Sequence, residues 1–129
     1  YDTTIFHRVV RGIMVQGGGL LSTMQPKSSR VPPLVNEASG NPLKNLRGTL
    51  AMARGTLPNS ATDQFFINVA DNAFLDATGA NIQGAGYCVF ASVIKGMEHV
   101  DRWSELPTGR GPMPEAPNMP LVIKRVYRL

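Results

Sequence analysis

One cysteine, one tryptophan and an aromatic share of 7% are the first limits on this 129-residue chain. The lone thiol of Cys88 excludes an internal disulfide, and disulfide-free domains suit reducing compartments. The cytoplasm is therefore expected. The chain opens at Tyr1 rather than at methionine, so an export leader upstream keeps the periplasm as the alternative. No apolar run approaches the roughly 18 residues that cross a bilayer, and no membrane partner is expected. His7 and His99 lie far apart, and no C-x-x-C or H-E-x-x-H spacing occurs. Neither a metal nor another cofactor is expected. Gly17-Gly18-Gly19 lacks a following G-K-[ST] and reads as a turn rather than a phosphate loop. The net charge of +4 is spread over the chain, with only Lys124 and Arg125 adjacent. Without an aromatic stacking platform this reads as solvated surface, and no nucleic-acid partner is expected.

What is present is ordinary globular composition, 43% hydrophobic and 17% charged, at a length that fits one domain over 1–129. A monomer is expected. Short β-like runs at 5–10, 13–16, 48–54, 64–70 and 87–94 are separated by glycine and proline clusters, with a further strand expected at 121–127. Gly12 reads as a break between the first two runs, and the glycine triplet as the end of the second. Segments 20–42 and 71–86 read as surface excursions, and the proline-rich 107–120 as irregular. Met97, Val100 and Trp103 recur every three residues and predict one short helix. The class is mainly β, a sandwich or barrel with few helices.

Side chains two apart in a strand share a face. Phe6, Arg8 and Val10 are thus expected on one side and His7 and Val9 on the other. A turn at Gly12 that preserves the face adds Met14 and Gln16 to Arg8. Gln64 and Phe66 likewise share a side, opposite Phe65 and Ile67. A face mixing polar donors with bulky apolar groups resembles neither core nor plain solvent surface, and points to a ligand groove. His7 reads as a satisfied, partly buried imidazole, Phe65 and Phe90 as core, and Cys88 as a buried thiol.

FHRV at 6–9, MVQGGG at 14–19, NE at 36–37, GTLAMAR at 48–54, SATDQFFINVADNAFLD at 60–76 and GYCVFASVIKGM at 86–97 resemble the cyclophilin peptidyl-prolyl isomerases, most closely the bacterial type. The likeness implies an antiparallel β-barrel of eight strands capped by two helices, with the active groove on its outer surface. It implies that Arg8 is the catalytic arginine and that Gln16 acts with it. Met14, Phe66 and Leu75 would form the proline pocket, Gln64 would contact substrate, and the backbone of Ala53 and Arg54 would bind the peptide main chain. Phe74 stands where animal members carry a tryptophan important for cyclosporin, so weak cyclosporin binding is expected. Tyr87 stands where those members often carry histidine. Ile13 replaces the family's usual phenylalanine beside the proline pocket, leaving a smaller wall. The chain begins at the strand carrying FHRV, whereas the family ordinarily has two strands and a helix before it, so a barrel without its opening elements is expected.

The implied partners are proline-containing peptides and folding or unfolded proteins, and the implied activity is cis-trans isomerisation of X-Pro bonds. Two alternatives are a noncatalytic proline-peptide module or inactive fragment, and a basic RNA-associated protein.

Overall fold

The computed structural model describes residues 1–29 and 31–129. Six strands form one antiparallel sheet: β1 (Thr4–Val10), β2 (Met14–Leu21), β3 (Thr49–Met52), β4 (Phe65–Asn68), β5 (Val89–Ser92) and β6 (Leu121–Val122). Their order is β5-β3-β4-β2-β1-β6. One α-helix, α1 (Met97–Ser104), and two short 3-10 turns, Ala38–Gly40 and Ala73–Leu75, complete the regular structure. The mainly β, helix-poor class matches expectation. Among the described residues the outer strands β5 and β6 are not paired with each other.

Alternation places two apolar clusters on the two faces of the sheet. Phe6, Val9, Val15, Ile67, Val69 and Val100 form the first, covered by Met97 and Trp103 of α1. Met14, Ala51, Ala53, Phe66 and Val89 form the second. Helix α1 starts after Gly96, which takes φ +86°, and its spacing-of-three apolar face packs on the first cluster. Arg47 holds Asp101 of that helix through a two-pronged pair of 2.6 and 2.7 Å.

Three local expectations are corrected. The turn at Gly12 (φ +71°) keeps Val10 opposite Met14 and Arg8 opposite Gln16, but Phe6 then pairs with Gly17. His7 is an extra residue in β1. This bulge turns Phe6 to the other face, into the cluster of Val9, rather than alongside Arg8. The glycine triplet, in turn, does not end its strand. β2 runs through it to Leu21. A Cβ at Gly17 would lie 2.7 Å from a Phe6 ring carbon and 2.9 Å from the Ile5 carbonyl, and one at Gly19 would lie 2.4 Å from the Gln64 amide carbon. Phe6 and Gln64 thus occupy the space that side chains at Gly17 and Gly19 would need. Finally, the strand expected at 121–127 spans only Leu121–Val122. Ile123 still exchanges backbone hydrogen bonds of 2.8 Å with Thr3 and Thr4, after which the chain leaves β1.

Phe65 packs on the first cluster as expected, whereas Phe90 is 51% exposed because β5 is an edge strand. Cys88 is half-buried. His7 is buried, and its Nδ1 has no hydrogen-bond partner among the described residues, so it is not the satisfied imidazole expected.

Burial holds the His7 imidazole below the ordinary histidine range, opposed by a hydrogen bond to the Ile5 backbone and reinforced by the charge of Arg8. The unfolded chain binds that proton near pH 6.5, where the folded chain still resists it. The His7 contribution to stability is therefore constant above the ordinary histidine range and declines as pH falls below about 6.5. His7→Leu is expected to remove that decline in urea midpoints compared between about pH 5.5 and 7.5. Identical slopes for the two proteins would defeat the assignment.

Candidate active site

The site is built where β1, β2 and β4 run side by side. Arg8 pairs with Gln16 across β1 and β2, and Gln16 with Phe66 across β2 and β4. Directly opposed residues on adjacent strands share a face, so pairing alone brings these three together. A hollow of about 380 Å³ opens over them, within the range of small-ligand sites. It is lined by Arg8, Val10, Ile13, Met14, Gln16, Ala53, Arg54, Phe66, Phe74, Leu75 and Tyr87. Every residue singled out from the sequence therefore lines it, with Gln64 the exception. Gln64 lies next door, in a smaller polar recess shared with Gln16, Ala53 and Arg54.

The floor is apolar and fixed. Met14, Ala53 and Phe66 are buried members of the second cluster, with Leu75 and Tyr87 packed against it. Phe66 meets Tyr87 edge to face at 5.6 Å, a favoured aromatic geometry. Phe74 stands at the rim, 70% exposed. Its neighbour Leu75 reaches the hollow because both lie on the 3-10 turn Ala73–Leu75.

The polar side is a rail of amides. Arg8 Nη1 donates to Gln16 Oε1 at 3.4 Å, and Gln16 Nε2 donates to Gln64 Oε1 at 3.1 Å. The Gln64 carbonyl accepts from the Ala53 N–H at 2.9 Å, so that N–H is not available to a peptide. Arg54 stacks on the Tyr87 ring with its guanidinium carbon 4.5 Å from the centroid. Its Nε and Nη2 donate to the Gly86 carbonyl at 3.0 and 2.9 Å. This second cation is thus anchored by backbone while Arg8 remains 44% exposed at the side chain.

Two contributors went unassigned in the sequence reading. Val10 lines the hollow, and its place on the Arg8 face made it findable. Glu115 was not findable. It pairs with Arg8 Nε from 107 residues away, and its carbonyl accepts from the Val9 N–H at 2.7 Å. Nothing near 115 in the proline-rich segment marks it as a neighbour of β1.

Three loop carboxylates are each paired away from the site. Asp63 pairs with Lys27, Asp71 accepts from the Arg47 N–H, and Asp76 accepts from the Asn45 N–H. None lines the hollow.

Comparison with known proteins shows the family. The family profile described as cyclophilin type peptidyl-prolyl cis-trans isomerase/CLD matches residues 1–128. The chain is 52% identical over 127 residues to peptidyl-prolyl cis-trans isomerase B of Escherichia coli (strain K12), covering 98% of this chain and 76% of that one. It is 53% identical over 125 residues to peptidyl-prolyl cis-trans isomerase A of Dickeya dadantii (strain 3937), covering 96% of this chain and 63% of that relative. A crystal structure of a cyclophilin type isomerase from Cryptosporidium parvum, in the presence of the dipeptide ala-pro, superposes with a TM-score of 0.70 at 26% identity. That superposition covers 96% of this chain and 73% of the other.

Proposed function

The chain belongs to the cyclophilin-type peptidyl-prolyl cis-trans isomerases, and we propose that rotation about the X-Pro bond takes place in the hollow between Arg8 and Phe66. Peptide-bond rotation faces a barrier of roughly 18 to 20 kcal/mol because the amide nitrogen shares its lone pair with the carbonyl. Twisting the bond ends that sharing and returns the lone pair to nitrogen. A donor that meets the lone pair only in the twisted state lowers the barrier without stabilising the planar states equally.

Arg8 supplies that donor. A guanidinium carries five N–H groups in a planar fork. Glu115 engages the Nε edge and Gln16 one Nη1 hydrogen, which orients the fork and leaves its remaining N–H groups for substrate. Met14, Phe66 and Leu75 hold the proline ring, so the acyl side turns against a fixed partner. The Ala53 carbonyl and the Arg54 N–H meet the peptide main chain, since the Ala53 N–H is taken by Gln64. Each tenfold acceleration requires about 1.4 kcal/mol, and one oriented charged donor supplies about two to three such factors. The observation that carries this reading is the shared hollow itself, with a half-exposed cation beside a buried apolar floor.

The test is NMR of an X-Pro peptide at substoichiometric protein. Exchange cross-peaks between cis and trans forms are expected, together with shifts of the Phe66 and Leu75 amides. Shifts without accelerated exchange would identify a noncatalytic proline-peptide module. No interaction at all would remove the assignment of this hollow.

A further inference from the structure

We propose that Asn45, Asn68 and Asn72 form a buried positioning device that sets the walls of the proline hollow. The proposal rests on the reading of that hollow as the X-Pro site. The three side chains are 1%, 0% and 3% exposed, unusual for asparagine, which is mostly a surface residue. They hydrogen-bond to one another in series. Asn72 Nδ2 donates to Asn68 Oδ1 at 2.7 Å, and Asn68 Nδ2 donates to Asn45 Oδ1 at 3.2 Å.

The free ends of this series reach backbone carbonyls of residues that line the hollow. Asn72 Nδ2 donates to the Ile13 carbonyl at 2.9 Å. Asn45 Nδ2 donates to Asp76 Oδ1 at 3.0 Å and shares its hydrogens with the carbonyls of Leu75 and Tyr87, each at 3.2 Å. Ile13, Leu75 and Tyr87 come from three separate segments outside the β-strands; the Ile13 carbonyl also accepts from the Val69 N–H at 2.9 Å, one bond beyond the β2–β4 pairing, whereas no strand pairing includes Leu75 or Tyr87. Backbone bonds tighten the same knot: Asn72 N–H to the Asn45 carbonyl at 2.8 Å, Leu75 N–H to the Asn72 carbonyl at 2.9 Å and Tyr87 N–H to the Leu75 carbonyl at 2.9 Å. Asn68 adds a bond of 2.9 Å to Thr49 Oγ1, fixing the cluster to β3.

The chemistry requires asparagine. Only a side-chain amide carries both a carbonyl acceptor and two N–H donors, so it can receive one hydrogen bond and pass on another. An apolar residue at 45 would leave the Tyr87 carbonyl without its side-chain donor, and apolar residues at 45 and 72 would strip the Leu75 and Ile13 carbonyls of the second donor they have besides the Tyr87 and Val69 N–H groups; a partly satisfied interior network is costly. None of the three asparagines lines the hollow. They are positioning residues, acting on substrate through Ile13, Leu75 and Tyr87.

A purely structural role predicts lower stability with unchanged recognition, and a positioning role predicts a specific loss of peptide affinity. Asn72→Ala is compared with Val100→Ala, a core truncation in the opposite cluster, at a temperature where both remain folded. About tenfold weaker binding of an X-Pro peptide is expected for Asn72→Ala, equivalent to roughly 1.4 kcal/mol, with near-native binding for Val100→Ala. On-enzyme cis-trans exchange at saturating peptide should change much less than affinity, because Arg8 is untouched. Native affinity in folded Asn72→Ala overturns the proposal while leaving the site assignment standing, as does an equal loss in Val100→Ala. A wild-type protein that binds no X-Pro peptide overturns both.

A second measurement needs no variant. Peptide binding should shift the side-chain amide resonances of Asn45, Asn68 and Asn72 in the wild-type protein more than that of Asn81, whose side chain bonds the Gly84 N–H. Unmoved resonances overturn the proposal.

Discussion

Arg8→Ala is expected to lower kcat/KM for an X-Pro peptide by about 10²–10³ while the protein stays folded, the scale on which loss of one preorganised donor is felt. The fold survives because the Arg8 side chain is 44% exposed and belongs to neither apolar cluster. Its ion pair with Glu115, itself 48% exposed, adds little stability once solvent screens it, on the order of 0–1 kcal/mol. Catalysis suffers because the other cation on the hollow, Arg54, cannot replace Arg8. Arg54 is tied to the Gly86 carbonyl and the Tyr87 ring. Glu115→Gln keeps a hydrogen-bond acceptor beside Nε and should cost less than about tenfold, since orientation is weakened rather than the donor removed. Unchanged turnover of folded Arg8→Ala in a proline-peptide assay would refute the mechanism.

Phe66→Ala is expected to have the largest effect on stability, about 3 to 5 kcal/mol, the usual range for truncating a buried phenylalanine. Phe66 is 4% exposed, sits at the centre of the second cluster and packs edge to face on Tyr87. Removing the ring opens a cavity beneath the hollow that the strand ladders of β2 and β4 cannot close. The same ring is the floor of the hollow proposed to hold proline, so affinity for an X-Pro peptide should fall with stability. Phe66→Leu, retaining most of the volume, separates the two by staying folded while losing the aromatic surface. Phe74→Ala serves as contrast: at 70% exposure it should change stability by no more than about 0.5 kcal/mol. Urea denaturation read from midpoint and slope decides the matter. An unaltered midpoint for Phe66→Ala would mean that the second cluster does not hold this face together.

The two effects fall on different residues because the hollow joins two kinds of structure. Its cation is held by contacts reaching out from the surface, and its floor is continuous with core. A variant can therefore lose chemistry without losing the fold, as at Arg8, or lose both together, as at Phe66.

Much of the site was readable before any coordinates. Alternation along 5–10 and 13–16 put Arg8, Val10, Met14 and Gln16 on one side, and along 64–70 it put Phe66 with Gln64. The observed pairing of Arg8 with Gln16 bears out the first set, and the pairing of Gln16 with Phe66 joins the second strand to it. The same rule failed one residue away. Phe6 has the parity of Arg8 but lies in the opposite cluster, because a bulge consumes one residue and inverts every face beyond it. The glycine triplet failed for a related reason. Glycine signals a turn when considered locally, yet Gly17 and Gly19 lie in a strand so that Phe6 and Gln64 can approach their backbone.

By itself, then, the sequence determined the family, the β class and the residues that share a face with Arg8, because strand periodicity and motif identity are local properties of the chain. Only the tertiary structure decided how that face is held: Glu115 arriving at Arg8, the bulge at His7, and three asparagines gathered beneath Ile13, Leu75 and Tyr87. Those contacts join positions far apart along the chain. Their energies exist only after the sheet has assembled, when burial has removed water and each polar group must find its partner inside the protein.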